Sequence, residues 1–264
     1  MLTALCCALL LQAAPRTPLD TMVDVGGYRL HVVVQRGTQP ITILLESGGG
    51  ADVGRWAGVD AQLAARTGAT VVAYDRAGFG ASELGPLDLA PARQVDDIAR
   101  VLDALGAPPR RVVVGHSYGA LLALDHAYRH ARDVFGVVLV DPMNPAFVAT
   151  TGDFVYGTVP HIAQPANARE QAIKRLVDSF EPALAGAIRA EPLLSVPIVV
   201  ISAGEPIWPE EHANVAWRAS HESLVAGWPQ RRLIVAEASD HDVPAERPDL
   251  IVEAVAAFVT PPGP

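Results

Sequence analysis

Cysteine is nearly missing from this chain. Of 264 residues only Cys6 and Cys7 carry a thiol, and both sit close to the N-terminus. The rest therefore has no disulfide, no thiolate metal site and no cysteine nucleophile. Positive charge is also short. Twenty Lys and Arg against 29 Asp and Glu leave a net charge of −9, which excludes nucleic acid as an expected partner and disfavours anionic lipid surfaces. No interior apolar run approaches the roughly eighteen residues that a membrane span needs, so no integral membrane association is expected. Internal repeats and low-complexity tracts are missing too. No group of His, Asp and Glu has metal-ligand spacing, so neither metal nor cofactor is expected. What remains is a chain with 50% hydrophobic residues, enough for one large core and in keeping with a single α/β domain.

The N-terminus reads differently from the rest. Residues 2–11 are almost wholly apolar, and Gln12-Ala13-Ala14-Pro15 adds small residues followed by a helix breaker. That pattern is expected of a secretory signal or an N-terminal extension over residues 1–20, although no Lys or Arg follows Met1 closely. Export to the periplasm or medium is the favoured expectation, with a cytoplasmic location as the alternative. Residues 21–264 form the expected domain.

Strand and helix signals then alternate. Residues 28–35 alternate in polarity, and apolar, β-branched runs follow at 41–45, 71–74, 111–114, 137–140, 198–202 and 232–235. Helical periodicity fills 59–66, 95–105, 121–129, 210–226 and 250–259. The alternation predicts an α/β fold, a mostly parallel central sheet with helices on both faces. In such sheets ligands bind beyond the C-terminal strand ends.

Those ends carry the chemistry. Gly115-His116-Ser117-Tyr118-Gly119 joins the run at 111–114 to a helical stretch. A serine at such a turn takes a strained backbone, needs tiny neighbours two residues away, and presents its hydroxyl to a base. Glu46-Ser47-Gly48-Gly49-Gly50 lets the backbone approach a ligand. Asp141-Pro142, Gly204-Glu205 and Ser239-Asp240-His241-Asp242 close three later strands. A hydroxyl nucleophile needs a base, and the base needs an acid to fix its tautomer. Ser117, Asp141 or Glu205, and His241 occur in that order at strand ends.

With Y-D-R-A-G-F-G at 74–80, L-V-D-P at 139–142 and S-D-H-D-V-P-A-E-R-P-D at 239–249, these motifs make the chain resemble the α/β-hydrolase superfamily from Val23 to Val259. The resemblance implies a serine hydrolase with Ser117 as nucleophile and His241 as general base. Oxyanion N–H groups would come from Tyr118 and Gly49, with Ser47 where relatives often carry histidine. It further implies acyl transfer on a small-molecule acyl substrate, carboxylic ester hydrolysis first. Amidase or aminopeptidase-like, C–C bond and thioester hydrolysis are the alternatives, and a ligand-binding protein on the same scaffold is the non-enzyme one. A serine nucleophile argues against dehalogenase and epoxide hydrolase chemistry. The G-x-x-D acid of many members is replaced by Gly204-Glu205-Pro206-Ile207. Asp141, one strand earlier, is favoured over Glu205.

Residues 143–195 form an insertion expected to be a small helical lid, helical over 168–189 and loop-like before that. Phe147, Phe154, Tyr156 and Phe180 are its aromatics, expected to pack lid on core. Trp56 and Trp208 follow strand-end loops and are the candidate substrate-pocket residues. His116 is expected to be buried beside the sheet, His31 to lie far from the catalytic edge, and His126, His130, His212 and His221 to be surface or packing residues on helices. Asp75-Arg76 is expected to stabilise the loop beside the site.

Overall fold

The structure, a computed structural model, describes residues 17–158 and 161–259. Its strands are β1 (Leu19–Asp24), β2 (Arg29–Gln35), β3 (Thr42–Glu46), β4 (Thr70–Tyr74), β5 (Arg111–His116), β6 (Val134–Val140), β7 (Ile198–Ala203) and β8 (Arg231–Ala236). They form one sheet in the order β1-β2-β4-β3-β5-β6-β7-β8. β2 pairs antiparallel with both β1 and β4, and the remaining pairs are parallel.

Both faces of the sheet are covered, which is why the central strands read as unbroken apolar runs rather than alternating ones. Leu44, Val72, Val113, Leu139 and Val200 point into one core beneath α2 (Pro91–Ala104), α3 (Gly119–Arg129), α7 (Phe180–Ala190) and α8 (Glu211–Val225). Their strand neighbours Ile43, Val71, Val112, Val138 and Val199 point the other way, under α1 (Val59–Thr67) and α10 (Pro248–Val259). No helix among the described residues is long and apolar enough to cross a membrane.

Four sequence expectations need correction. β1 occupies Leu19–Asp24, so an N-terminal extension ending at residue 20 cuts into the sheet; residues 1–16 of the expected secretory segment lie outside the described residues. α2 starts at Pro91, four residues before the periodic run, because proline is well placed at the first helical position. The insertion between β6 and β7 is helical in its first half as well, with α4 (Pro145–Thr151) and α5 (Asp153–Thr158). Asn144 starts α4 by accepting the Ala146 N–H at 2.9 Å, while its amide donates to Ser220 Oγ on α8 at 2.7 Å. The expected helix over 168–189 is two, α6 (Ala168–Asp178) and α7, joined at Ser179. Arg175 of α6 ties the insertion to the sheet edge, donating to the carbonyls of Ala77, Leu84 and Pro86.

Candidate active site

Ser117 sits between β5 and α3 at φ 52°, in the left-handed region that costs a non-glycine residue strain. Its neighbours have no room for side chains. A Cβ on Gly115 would lie 2.7 Å from the Gly119 carbonyl oxygen, and one on Gly119 would lie 2.4 Å from that of Glu46. The backbone is held by Ser117 N–H donating to Val140 O at 3.0 Å. The strained turn lifts Oγ to 2.9 Å from His241 Nε2.

His241 lies in the loop between β8 and α9 (Val243–Glu246). Its Nδ1 is 2.6 Å from Asp141 Oδ2. Its carbonyl oxygen accepts a hydrogen bond from His116 Nε2 at 2.8 Å, so His116 carries its proton on that nitrogen. Burial, reinforced by the His241 ring 4.7 Å away, pushes the His116 pKa down to about 3. His116 is thus a neutral donor that pins the His241 backbone. The His241 side chain is 39% exposed and Asp141 is fully enclosed; an incoming molecule can reach the imidazole edge but not the carboxylate behind it.

Asp141 follows β6 at φ 39°. Besides the His241 contact, its Oδ1 accepts the Ala203 N–H at 2.8 Å and the Trp217 indole N–H at 3.0 Å. Burial opposes ionisation, yet the hydrogen bonds from His241 and the Ala203 N–H hold the carboxyl below its ordinary value. Glu205, the alternative acid, is exposed; its N–H donates to Ser239 O at 2.9 Å, and among the described residues no hydrogen bond joins its carboxylate to His241.

Gly49 and Tyr118 face one another: a Cβ on Gly49 would lie 3.6 Å from Tyr118 Cβ. Neither backbone N–H has an acceptor among the described residues. Arg76, a residue expected only to steady this loop, donates to the carbonyls of both Ser47 and Gly48. A trans peptide points its C=O and N–H in opposite directions. Pulling the Gly48 carbonyl toward Arg76 therefore turns the Gly49 N–H away from it. Ser47 donates its hydroxyl to Asp52 O at 3.2 Å. Glu46, the last residue of β3, is wholly buried and accepts the Tyr74 hydroxyl at 2.6 Å. Burial raises its pKa to about 7 against the opposing Tyr74 hydrogen bond and Arg76 charge.

Of the two pocket tryptophans, Trp56 is not a pocket wall. It is 1% exposed in the core beneath α1 and α10, edge-on to His116 at 6.5 Å. Trp208 belongs to an aromatic cluster instead, 5.4 Å from Phe154, 6.2 Å from Phe147 and 6.3 Å from Trp217. Asn214 fixes it by accepting the Trp208 N–H and donating to its carbonyl. Phe147 packs as expected in the core, Phe180 stacks on Tyr118 at 6.4 Å, and the Tyr156 side chain lies outside the described residues. His31 corrects its expectation: because β2 runs antiparallel, His31 reaches Asp75 at 2.7 Å, just past the C-terminal end of β4. Asp75 also accepts the N–H groups of Val53 and Ala81.

On α8 the sequence signals nothing for Trp217, and His221, expected as a surface or packing residue, is a buried packing one. Trp217 reaches Asp141 directly, and His221, four residues on, is fully buried with Nδ1 3.8 Å from Asp141 Oδ1. Their helical spacing was visible, but nothing in it shows which way that face points.

Known proteins agree with this architecture. The uncharacterized protein YqjL of Bacillus subtilis is 25% identical over 238 residues, covering 90% of each chain. A 2-hydroxymuconate semialdehyde hydrolase of Pseudomonas putida is 37% identical over 113 residues, 42% of this chain and 37% of that one. Among solved structures, proline iminopeptidase of Mycobacterium smegmatis superposes with a TM-score of 0.60 at 21% identity, over 91% of this chain and 97% of that one. E-2-(Acetamidomethylene)succinate hydrolase gives 0.65 at 19%, over 92% and 99%. Residues 43–254, from β3 through most of α10, match the model of the alpha/beta hydrolase family, and with this sheet order and these strand-end residues the chain belongs to that family.

Proposed function

We propose that this protein is a serine hydrolase cleaving a carboxylic ester of a small or medium substrate, with Ser117 as nucleophile, His241 as general base and Asp141 as the acid behind it. The observation that carries the reading is the line of hydrogen bonds from Ser117 Oγ to His241 Nε2 and from His241 Nδ1 to Asp141 Oδ2, at 2.9 and 2.6 Å. His241 takes the Ser117 proton as Oγ attacks the ester carbonyl carbon. The Tyr118 and Gly49 N–H groups receive the oxyanion, each lowering the barrier by about 3 kcal/mol. Asp141 stays ionised and steadies the imidazolium. The tetrahedral intermediate expels the alcohol, which leaves with the proton from His241. Water, deprotonated by His241, then attacks the acyl-enzyme and releases the acid and free Ser117. The helices of residues 143–195 act as the lid that sets acyl shape.

A second reading is hydrolysis of a C–C bond, favoured by the local similarity to 2-hydroxymuconate semialdehyde hydrolase. The test is turnover of short and medium p-nitrophenyl acyl esters by the full chain. Ser117→Ala and Asp141→Asn are expected to lower kcat/KM by roughly a thousandfold or more, and Glu205→Gln to leave it within about twofold. A folded wild-type chain that turns over no ester overturns the ester reading and leaves C–C, amide or thioester substrates, or a binding role.

A further inference from the structure

Asp141 is a demanding place for the acid. It sits at the end of β6, while His241 follows β8, so the carboxylate has to span the end of β7 to reach the imidazole. A carboxylate free to turn about its last bond would offer either oxygen, or neither, to His241. Here Oδ1 is taken twice, by Ala203 N–H and by Trp217 Nε1–H, which leaves Oδ2 for His241. The indole also stands edge-on to the His241 ring at 6.0 Å. The same side chain therefore bounds both partners of the contact.

His221 braces the indole. The two rings meet at 4.9 Å. His221 Nε2 lies 2.9 Å from Pro142 O, which can only accept, so that nitrogen carries the proton. Nδ1 then accepts from Ser202 Oγ at 2.7 Å. Burial keeps His221 below its ordinary pKa despite the Asp141 charge. The ring is thus neutral, and it adds no cation to compete with His241 for the carboxylate.

We infer that Trp217, braced by His221, is a positioning residue for the reaction: its indole N–H fixes Asp141 so that one carboxylate oxygen is kept for His241. The inference rests on the triad reading above. Charged and titratable groups around the pair are His221 on α8, His116 on β5, and the Arg55–Asp242 ion pair beside His241. Trp217→Phe removes the donor and leaves all of these in place.

The measurement is the pH dependence of kcat/KM for p-nitrophenyl acetate. With Trp217→Phe, kcat is expected to fall about tenfold, the value of one hydrogen bond to a charged group, while KM moves less than about twofold. Losing the donor on Oδ1 leaves more negative charge on Oδ2, and the acid limb of the profile moves upward. A wild-type kcat overturns the inference, and so does a fallen kcat with the limb unmoved, which is the mark of a packing role. Should Trp217→Phe not fold, His221→Leu unbraces the same indole and is expected to show the same split and the same direction of shift; an unmoved limb there overturns it equally. Asp141→Asn, run alongside, separates the two ideas: if it retains turnover the triad reading has failed, and if it alone collapses only the role of Trp217 has.

Discussion

Glu46 shows at the residue scale what burial does beside a site. Its carboxyl titrates near 7 instead of 4.5 because no solvent reaches it, and the Tyr74 hydroxyl and Arg76 charge recover only part of that cost. The folded state therefore holds a proton that the unfolded chain releases near pH 4.5. Stability from this group is complete below 4.5 and is lost as pH rises through 7, in all by about 3 kcal/mol. Glu46→Gln keeps an oxygen for Tyr74 and stays neutral. It is expected to match wild type near pH 5 and exceed it at pH 8, read as the difference between two urea-unfolding curves. A difference that does not grow with pH would falsify the assignment. Ser117, His241 and the glycines were legible from their motifs, because a strained turn and its tiny neighbours leave a local pattern. Glu46 was visible only as a letter before a glycine run. Its enclosure by Tyr74, 28 residues away, and by Arg76 is a tertiary fact. The same holds for Trp217, whose acceptor Asp141 lies 76 residues back.

At the scale of elements, α6 makes the case that a docked segment is held by a few polar contacts. Arg175 reaches out of α6 to three carbonyls, of Ala77, Leu84 and Pro86, in the loop after β4. It is 6% exposed, and burial draws its pKa below the ordinary arginine value without removing its charge. Arg175→Met preserves the stem packing and leaves those carbonyls without their donor. A loss of about 2–3 kcal/mol is expected, since hydrogen bonds from a charged group contribute most when buried. Limited proteolysis should then open residues 143–195 before the sheet; an unchanged cleavage order and midpoint would count against it. The strands at the centre of the sheet were legible because two-sided burial writes unbroken apolar runs. β1 was not. Its residues are exposed at both ends and only half-buried between, so Leu19–Asp24 carries no apolar run at all. α4 stands where a loop was expected, although Asn144-Pro145 is a helix-start signal in its own right.

For the molecule as a whole, β1 decides how the sheet is closed at its outer edge. It pairs from Leu19↔Val34 to Asp24↔Arg29, covering the outer hydrogen-bonding edge of β2. Beneath that edge lie Leu30, Val32 and Val34, all in the core. Asp20 of β1 also holds His31 Nε2 at 3.0 Å. Burial pulls the His31 pKa down, but Asp75 and Asp20 together raise it above the ordinary value, so the β1 carboxylate is one of the charges that favour the protonated form of this histidine next to the Asp75 loop. Removal of the first 20 residues would take Leu19 and Asp20 out of this strand. A chain beginning at Val25 uncovers the β2 edge, a row of unpaired N–H and C=O groups ready to add another strand. It is expected to unfold at a temperature lower by roughly 5 °C or more than the full chain. It should also accumulate larger species in light scattering after size-exclusion chromatography. Both effects share one cause, so they should disappear together when a strand is restored at that edge. A chain from Val25 that melts with the full protein and stays as monodisperse would show that β1 closes nothing the fold depends on.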